Sequence, residues 1–228
     1  MLYLGDMQAD AVIFDFDGVI VDTEPLHCAA FNQVLEPAGL GFTWEEYAET
    51  YMGFDDRDAF LEVYRRYGRE MTAGGLQELI DRKAQLFQEV IRGGVSAYPG
   101  VVGLIRRIRQ QQIPLAISSG ALRSDIVPIL DILGIADCFD VIVTAEDVAR
   151  SKPDPECYTL ARTLLAEQFA CRIEPERTVA VEDTPAGITA ANGAGLKVVA
   201  VTNSYAAEQL DQADLITGSL EDLPFRTG

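Results

Sequence analysis

The sequence predicts an α/β protein: a mainly parallel sheet interrupted, early in the chain, by an all-helical insertion. Three observations carry this. The apolar run Val12-Ile13-Phe14 ends in acidic residues and Gly18, the pattern of a buried strand that delivers polar groups at its C-terminal end. From Pro25 to about Gly93 apolar positions recur only at helical spacing, among them Ala29, Val34 and Leu35, then Leu61, Val63 and Tyr64, then Leu79, Leu86 and Val90. After Tyr98-Pro99-Gly100, strand and helix patterns alternate.

In that second part helices are expected over 101–111, 122–133, 155–166 and 186–194. The strands they lead to are expected at 114–117, 141–143, 178–181 and 197–201, with a weaker one at 213–216. Such alternation implies right-handed βαβ units. The first strand alone is too little for a separate half. The economical arrangement is one Rossmann-like core of residues 1–22 and 95–228, with 23–94 inserted as a helical cap domain.

Composition narrows the function. The 228 residues carry a formal net charge of −18, which argues against nucleic acid or an anionic membrane surface as a partner. No apolar run is long enough to span a bilayer, and the first ten residues lack the basic start and apolar stretch of a secretory signal. The cysteines Cys28, Cys138, Cys157 and Cys171 show no paired spacing, so free thiols and a cytoplasmic location are expected. A monomer or weak homo-oligomer is the expected state. Any anionic substrate must find its positive charge locally, and only three lysines exist: Lys83, Lys152 and Lys197.

In open sheets of this kind ligands sit beyond the carboxyl ends of the strands. Those ends read Asp15 and Asp17, then Ser118-Ser119-Gly120, then Glu182-Asp183, with Lys152 in the loop Arg150-Ser151-Lys152-Pro153-Asp154-Pro155. Asp15 and Asp17, two residues apart, start on the same side of the chain. Phosphoryl transfer needs a nucleophile, a proton donor and positive charge around the equatorial oxygens. Several carboxylates beside one lysine also suit Mg2+, which takes few carboxylates, several waters and the substrate phosphate.

The run Asp15-Phe16-Asp17-Gly18-Val19-Ile20-Val21-Asp22-Thr23 resembles the first motif of haloacid dehalogenase-superfamily phosphatases. Ser118 is similar to the second motif, Lys152 in Lys-Pro-Asp-Pro to the third, and Glu182-Asp183 to the fourth. The helical insertion after the first motif resembles the cap of the β-phosphoglucomutase and sugar-phosphatase branch. The resemblance implies that Asp15 attacks phosphorus and becomes an aspartyl phosphate, while Asp17 protonates the leaving oxygen and then serves as base. It implies a metal held by Asp15, the Asp17 carbonyl and Asp183, with Glu182 supporting the water shell. Ser118 then bonds the phosphoryl group, with Ser119 and Gly120 beside it, and Lys152 offsets the charge. Gly18 lets the backbone approach closely.

Three cap residues are candidate substrate contacts on the same resemblance: His27, Lys83 and Arg57. One departure matters. Phosphomutase caps carry an arginine three residues after a cap glycine, whereas Gly53-Phe54-Asp55-Asp56 puts an aspartate there. The expected function is a Mg2+-dependent phosphatase acting on a small phosphorylated metabolite, of sugar phosphate or phosphoglycolate type. A hexose-phosphate mutase is the alternative. A non-catalytic binding protein on the same fold is disfavoured by the intact Asp15, Asp17, Lys152 and Asp183.

Overall fold

The computed structural model describes residues 2–52, 54–91 and 94–227. Gly53, Gly93 and the first residue therefore lie outside the described residues. The central element, β3 (Ala11–Phe14), pairs in parallel with β4 (Leu115–Ser118) on one side and β6 (Thr178–Glu182) on the other. β5 (Val141–Val143) adds beyond β4; β7 (Lys197–Val201) and then β8 (Leu215–Thr217) add beyond β6. The six-stranded order is β5-β4-β3-β6-β7-β8. The register sets Phe14 beside Ile117 and Val181, so Asp15, Ser118 and Glu182 emerge from three adjacent strands at one edge.

Both faces of this sheet are buried, which is why its strands read as nearly continuous apolar runs. Val12, Phe14, Leu115, Ile117, Val179 and Val181 pack on α5 (Val101–Gln110) and α6 (Arg123–Leu133). The alternate positions Ala11, Ile13, Ala116 and Ala180 pack on α7 (Glu156–Gln168) and α8 (Pro185–Gly193). The expected strands and helices of this part are all present, with ends shifted by at most two residues.

A second, antiparallel sheet has no counterpart in the sequence reading. It joins β1 (Leu2–Leu4), β2 (Met7–Ala9) and β9 (Phe225–Thr227) in the order β2-β1-β9. Leu2, Leu4 and Ala9 are buried against the first sheet's core. Three-residue strands are too short to show a convincing period of two.

Residues 24–91 contain only helices among the described residues: α1 (Glu24–Leu35), α2 (Trp44–Glu46), α3 (Asp56–Arg66) and α4 (Ala73–Ile91), with shorter turns between. Thr43 and Glu46 form a capping box at α2, and Asp55 caps α3 by accepting from the Asp58 N–H at 2.8 Å. This segment has its own aromatic core. Phe31 meets Phe60 edge-on at 5.0 Å, and Phe42 stacks on Tyr51 at 4.7 Å. The end of α4, through Phe87 and Ile91, and one face of α1, through Leu26 and Ala30, join the cluster on the sheet. No described helix is long and apolar enough to cross a membrane.

Candidate active site

Between the carboxyl edge of the sheet and the helical segment lies a cleft of about 50 Å³. Its sheet side carries Asp15, Asp17, Ser119, Gly120, Lys152 and Thr184; its helical side carries Glu24, His27, Phe31, Tyr47, Phe54 and Asp56.

Lys152 is the hub of the sheet side. Its ammonium donates to Asp15 Oδ1 at 2.8 Å, to Glu182 Oε1 at 2.7 Å and to the Ser118 carbonyl at 3.0 Å. Burial works to lower the Lys152 pKa, but the charges of Asp15 and Glu182 outweigh it and raise it well above the ordinary value. Glu182 is fully occupied. Tyr158 also donates to its Oε1 at 2.7 Å, and the Asp183 and Thr184 N–H groups and the Thr184 hydroxyl all donate to its Oε2. Burial opposes ionisation of Glu182, yet Lys152 and these donors hold its carboxyl below the usual range.

Asp15 and Asp183 face the opposite situation. Burial pushes the Asp15 carboxyl up to about 8, with Lys152 pulling it down and Glu182 pushing it further up. Burial, then the charges of Asp15 and Glu182, raise Asp183 well above its ordinary value. Asp183 Oδ2 accepts from the Ser204 hydroxyl, while its buried Oδ1 has no partner. Oxygens of Asp15, Glu182 and Asp183 lie within 4.8 Å of one another. Gly18 closes over them with φ +77°, and a Cβ there would stand 1.9 Å from Asp183 Oδ2. These residues fit a hard divalent cation: two clustered carboxyls pushed up by burial and by one another's charge, one orphan oxygen, and a close glycine backbone. Glu182 stands in the same cluster, with protein donors on both of its oxygens.

Ser118 is buried, with its hydroxyl unpartnered. Ser119 accepts from the Ala121 N–H at 3.0 Å and, with Gly120, lines the cleft itself. Asp17 turns from Lys152 toward the helices. It accepts from the Thr23 hydroxyl, and His27 Nε2 lies 3.3 Å from its Oδ1. His27 Nδ1 lies 2.7 Å from Lys83 Nζ. An ammonium can only donate, so Nδ1 accepts and Nε2–H is left to donate to Asp17. Burial works to raise Asp17, but the His27 ring, the Thr23 hydroxyl and the Lys83 charge outweigh it and hold its carboxyl below the ordinary value.

Two cap expectations are corrected. Lys83 is not at the cleft: it is 1% exposed, bonded to His27 and to Asp56 Oδ1 at 2.7 Å, and lies over the Phe31 and Phe87 rings. Arg57 is not there either. It reaches back to Asp55 at 3.6 Å and lines a separate surface groove. With Asp55 as cap, Asp56 is the first residue of α3 and faces the cleft, and Arg57 is turned about 100° round the helix.

The sequence reading missed several supports. Asn203 donates to the Gly18 carbonyl at 2.6 Å, and Ser204 holds Asp183. Both follow the end of β7, where the strand-end rule applied to the other strands would have found them. Glu24, bonded by the Tyr47 hydroxyl, and Ser151, which donates to Asp55 Oδ2, gave no pattern of their own.

Comparison with known proteins bears on this geometry. The family described as haloacid dehalogenase-like hydrolase matches residues 12–201. The chain is 30% identical over 189 residues to a phosphorylated carbohydrates phosphatase of Thermotoga maritima, with 82% of each chain covered. It is 30% identical to a beta-phosphoglucomutase of Bacillus subtilis, covering 93% of this chain and 91% of that one. The crystal structure of a CbbY variant from Rhodobacter sphaeroides in complex with xylulose-(1,5)bisphosphate matches with a TM-score of 0.84 at 26% identity, over 94% of this chain and 96% of that chain.

Proposed function

The chain belongs to the haloacid dehalogenase-like hydrolase family, and on that premise we propose that it is a Mg2+-dependent phosphatase of a small phosphorylated metabolite. The observation that carries this reading is Asp15, held by Lys152 beside the unpartnered Asp183 Oδ1 at the mouth of the cleft. In this reading residues 1–22 and 95–228 are the catalytic core and 23–94 the cap. A cytoplasmic site of action goes with it, supported by four cysteines in the free form.

Asp15 and Asp183, with the Asp17 backbone, are the groups that would hold the metal, which supplies charge neutralisation for the phosphoryl oxygens. Asp15 attacks phosphorus, and the bond from phosphorus to the substrate oxygen breaks. Lys152 keeps Asp15 oriented and offsets the negative charge gathered there. Ser119, which lines the cleft, has a hydroxyl able to donate to the phosphoryl oxygens, while Ser118 is fully buried and does not line it. Asp17, ionised in the empty site, takes up a proton with the arriving substrate, gives it to the leaving oxygen, and then takes one from the water that hydrolyses the aspartyl phosphate. The hydrogen bonds of His27 and Thr23 fix its direction.

Transfer to a sugar hydroxyl is the second reading, favoured by the full-length similarity to the Bacillus subtilis mutase. Against it stands Asp56, a carboxylate where a second phosphate needs a cation. The test is phosphate release from a panel of sugar phosphates, phosphoglycolate and an aryl phosphate, with magnesium and after chelation. β-Glucose 1-phosphate with a trace of its 1,6-bisphosphate belongs in the panel. Release that needs magnesium and drops roughly a thousandfold or more in Asp15→Asn is expected. Turnover that survives exhaustive chelation removes the metal, and glucose 6-phosphate outpacing free phosphate makes the enzyme a mutase.

A further inference from the structure

The helical wall of the cleft has an unusual charge inventory. Its carboxyls are Glu24 and Asp56, and the nearby cations are already committed among the described residues. Lys83 is sealed behind Asp56 and His27, and Arg57 is turned to Asp55. His27 spends both ring nitrogens on Asp17 and Lys83. What remains to meet the far end of a substrate is acceptors. Glu24 Oε2 takes only the Tyr47 hydroxyl, and Asp56 Oδ2 is buried with no donor at all.

We propose that Asp56 is a specificity-determining residue: with Glu24 it selects a singly phosphorylated polyhydroxy compound whose far end donates hydroxyl hydrogen bonds, and it rejects a far end bearing a second phosphate or a carboxylate. A buried carboxylate oxygen without a donor is costly, and a substrate hydroxyl relieves that cost on binding. A second anion instead meets two carboxyls in a desolvated space with no free cation to compensate. Selection of this kind is large, because a group built to accept a hydrogen bond discriminates strongly against a partner that cannot donate one. The substrate then resembles a hexitol or hexose monophosphate more than a bisphosphate or a phosphorylated acid.

This inference rests on the phosphatase reading, and its test separates the two. Matched pairs are compared at saturating magnesium: a hexitol 6-phosphate against its 1,6-bisphosphate, and glycerol 3-phosphate against 3-phosphoglycerate. An aryl phosphate serves as the common reference for the chemical machinery. The hydroxyl-ended member of each pair is expected to have a kcat/KM at least about tenfold higher. Asp56→Asn keeps an oxygen for Lys83 but removes the charge, and is expected to shrink both ratios at least about threefold while the aryl rate moves less. Thermal melts establish that the variant is folded; Glu24→Gln, expected to shift the ratios the same way, provides a second route if it is not. Equal kcat/KM within the wild-type pairs overturns the role of Asp56 while leaving the phosphatase standing. No release from any compound, the aryl phosphate included, overturns both.

Discussion

On the sheet side of the cleft the polar groups come off the ends of neighbouring strands and gather round Lys152, with Glu182 fully answered by donors and Asp183 Oδ1 and the Ser118 hydroxyl left open. On the helical side the groups stand on helix faces, and acceptors outnumber the donors that reach them. Glu182 receives Lys152, Tyr158, two backbone N–H groups and a hydroxyl, whereas Asp56 keeps one oxygen unanswered. Full satisfaction of Glu182 holds Lys152, and through it Asp15, in an electrostatic frame that needs little reorganisation during reaction. Incomplete satisfaction leaves a wall whose missing partners define what it accepts. Chemistry is assigned to the first wall and selectivity to the second.

The sharpest way to break this division is at Asp17, which belongs to the sheet but is oriented by the helices. Asp17→Asn is expected to lower kcat on a sugar phosphate by roughly 10²–10⁴-fold, because the poor leaving oxygen needs a proton. The loss on an aryl phosphate should be much smaller. Equal losses in steady-state assays on both substrates would remove Asp17 from the acid role.

A somewhat smaller effect is expected at Glu182. Glu182→Gln leaves the Lys152 ammonium with Asp15 alone, and the loss falls below the roughly 3–5 kcal/mol of a buried ion pair broken on one side. Chemical denaturation should register that loss. The magnesium concentration for half-maximal activity should change little, whereas Asp183→Asn should raise it steeply. If both variants shift the magnesium requirement alike, Glu182 belongs to the metal shell after all.

The smallest effect is a dependence of stability on pH. The Asp15 pKa is raised on folding, from the ordinary 3.8 to about 8. A carboxyl raised in this way contributes stability that is fully present below its unfolded value and lost as pH rises through its folded value. The metal-free protein should therefore lose several degrees of melting temperature between about pH 4 and pH 8. Magnesium should restore more of it at the alkaline end. A magnesium increment independent of pH, read by calorimetry, counts against the empty carboxyl cluster as the source.

How far the sequence could be read follows the same division. Asp15, Ser118, Lys152 and Glu182-Asp183 were legible because a parallel sheet puts strand ends on one rim whatever the details of packing. Asn203 and Ser204 obey the same rule but look like an ordinary turn. The orientation of the helical wall was not legible. Whether Asp56 or Arg57 faces the cleft depends on the rotation of α3, which depends on where Asp55 caps it, and boundary errors of one residue turn the helix by about 100°. Lys83 was expected to contact substrate, because no periodicity reveals a buried ammonium bonded to His27 and Asp56. The β1–β9 pairing joins segments more than two hundred residues apart, beyond the reach of any local pattern.

The separate aromatic core of the helical segment bears on how substrate gets in. A space of about 50 Å³ is far below the several hundred usual for a small-molecule pocket, so the two walls must part. A body with its own core can be swung without being unpacked: Phe31, Phe42, Tyr51 and Phe60 keep one another's company throughout. What the swing breaks is a short set of clasps, Ser151 to Asp55 and His27 to Asp17, with the packing of Leu26 and Ala30 on the sheet's cluster. At about 0.5–1.5 kcal/mol for each hydrogen bond, that is a barrier thermal motion crosses readily, on the microsecond-to-millisecond scale of hinge movements. Phe87 and Ile91, packed on the sheet's own cluster at the end of α4, are placed to stay behind as the pivot.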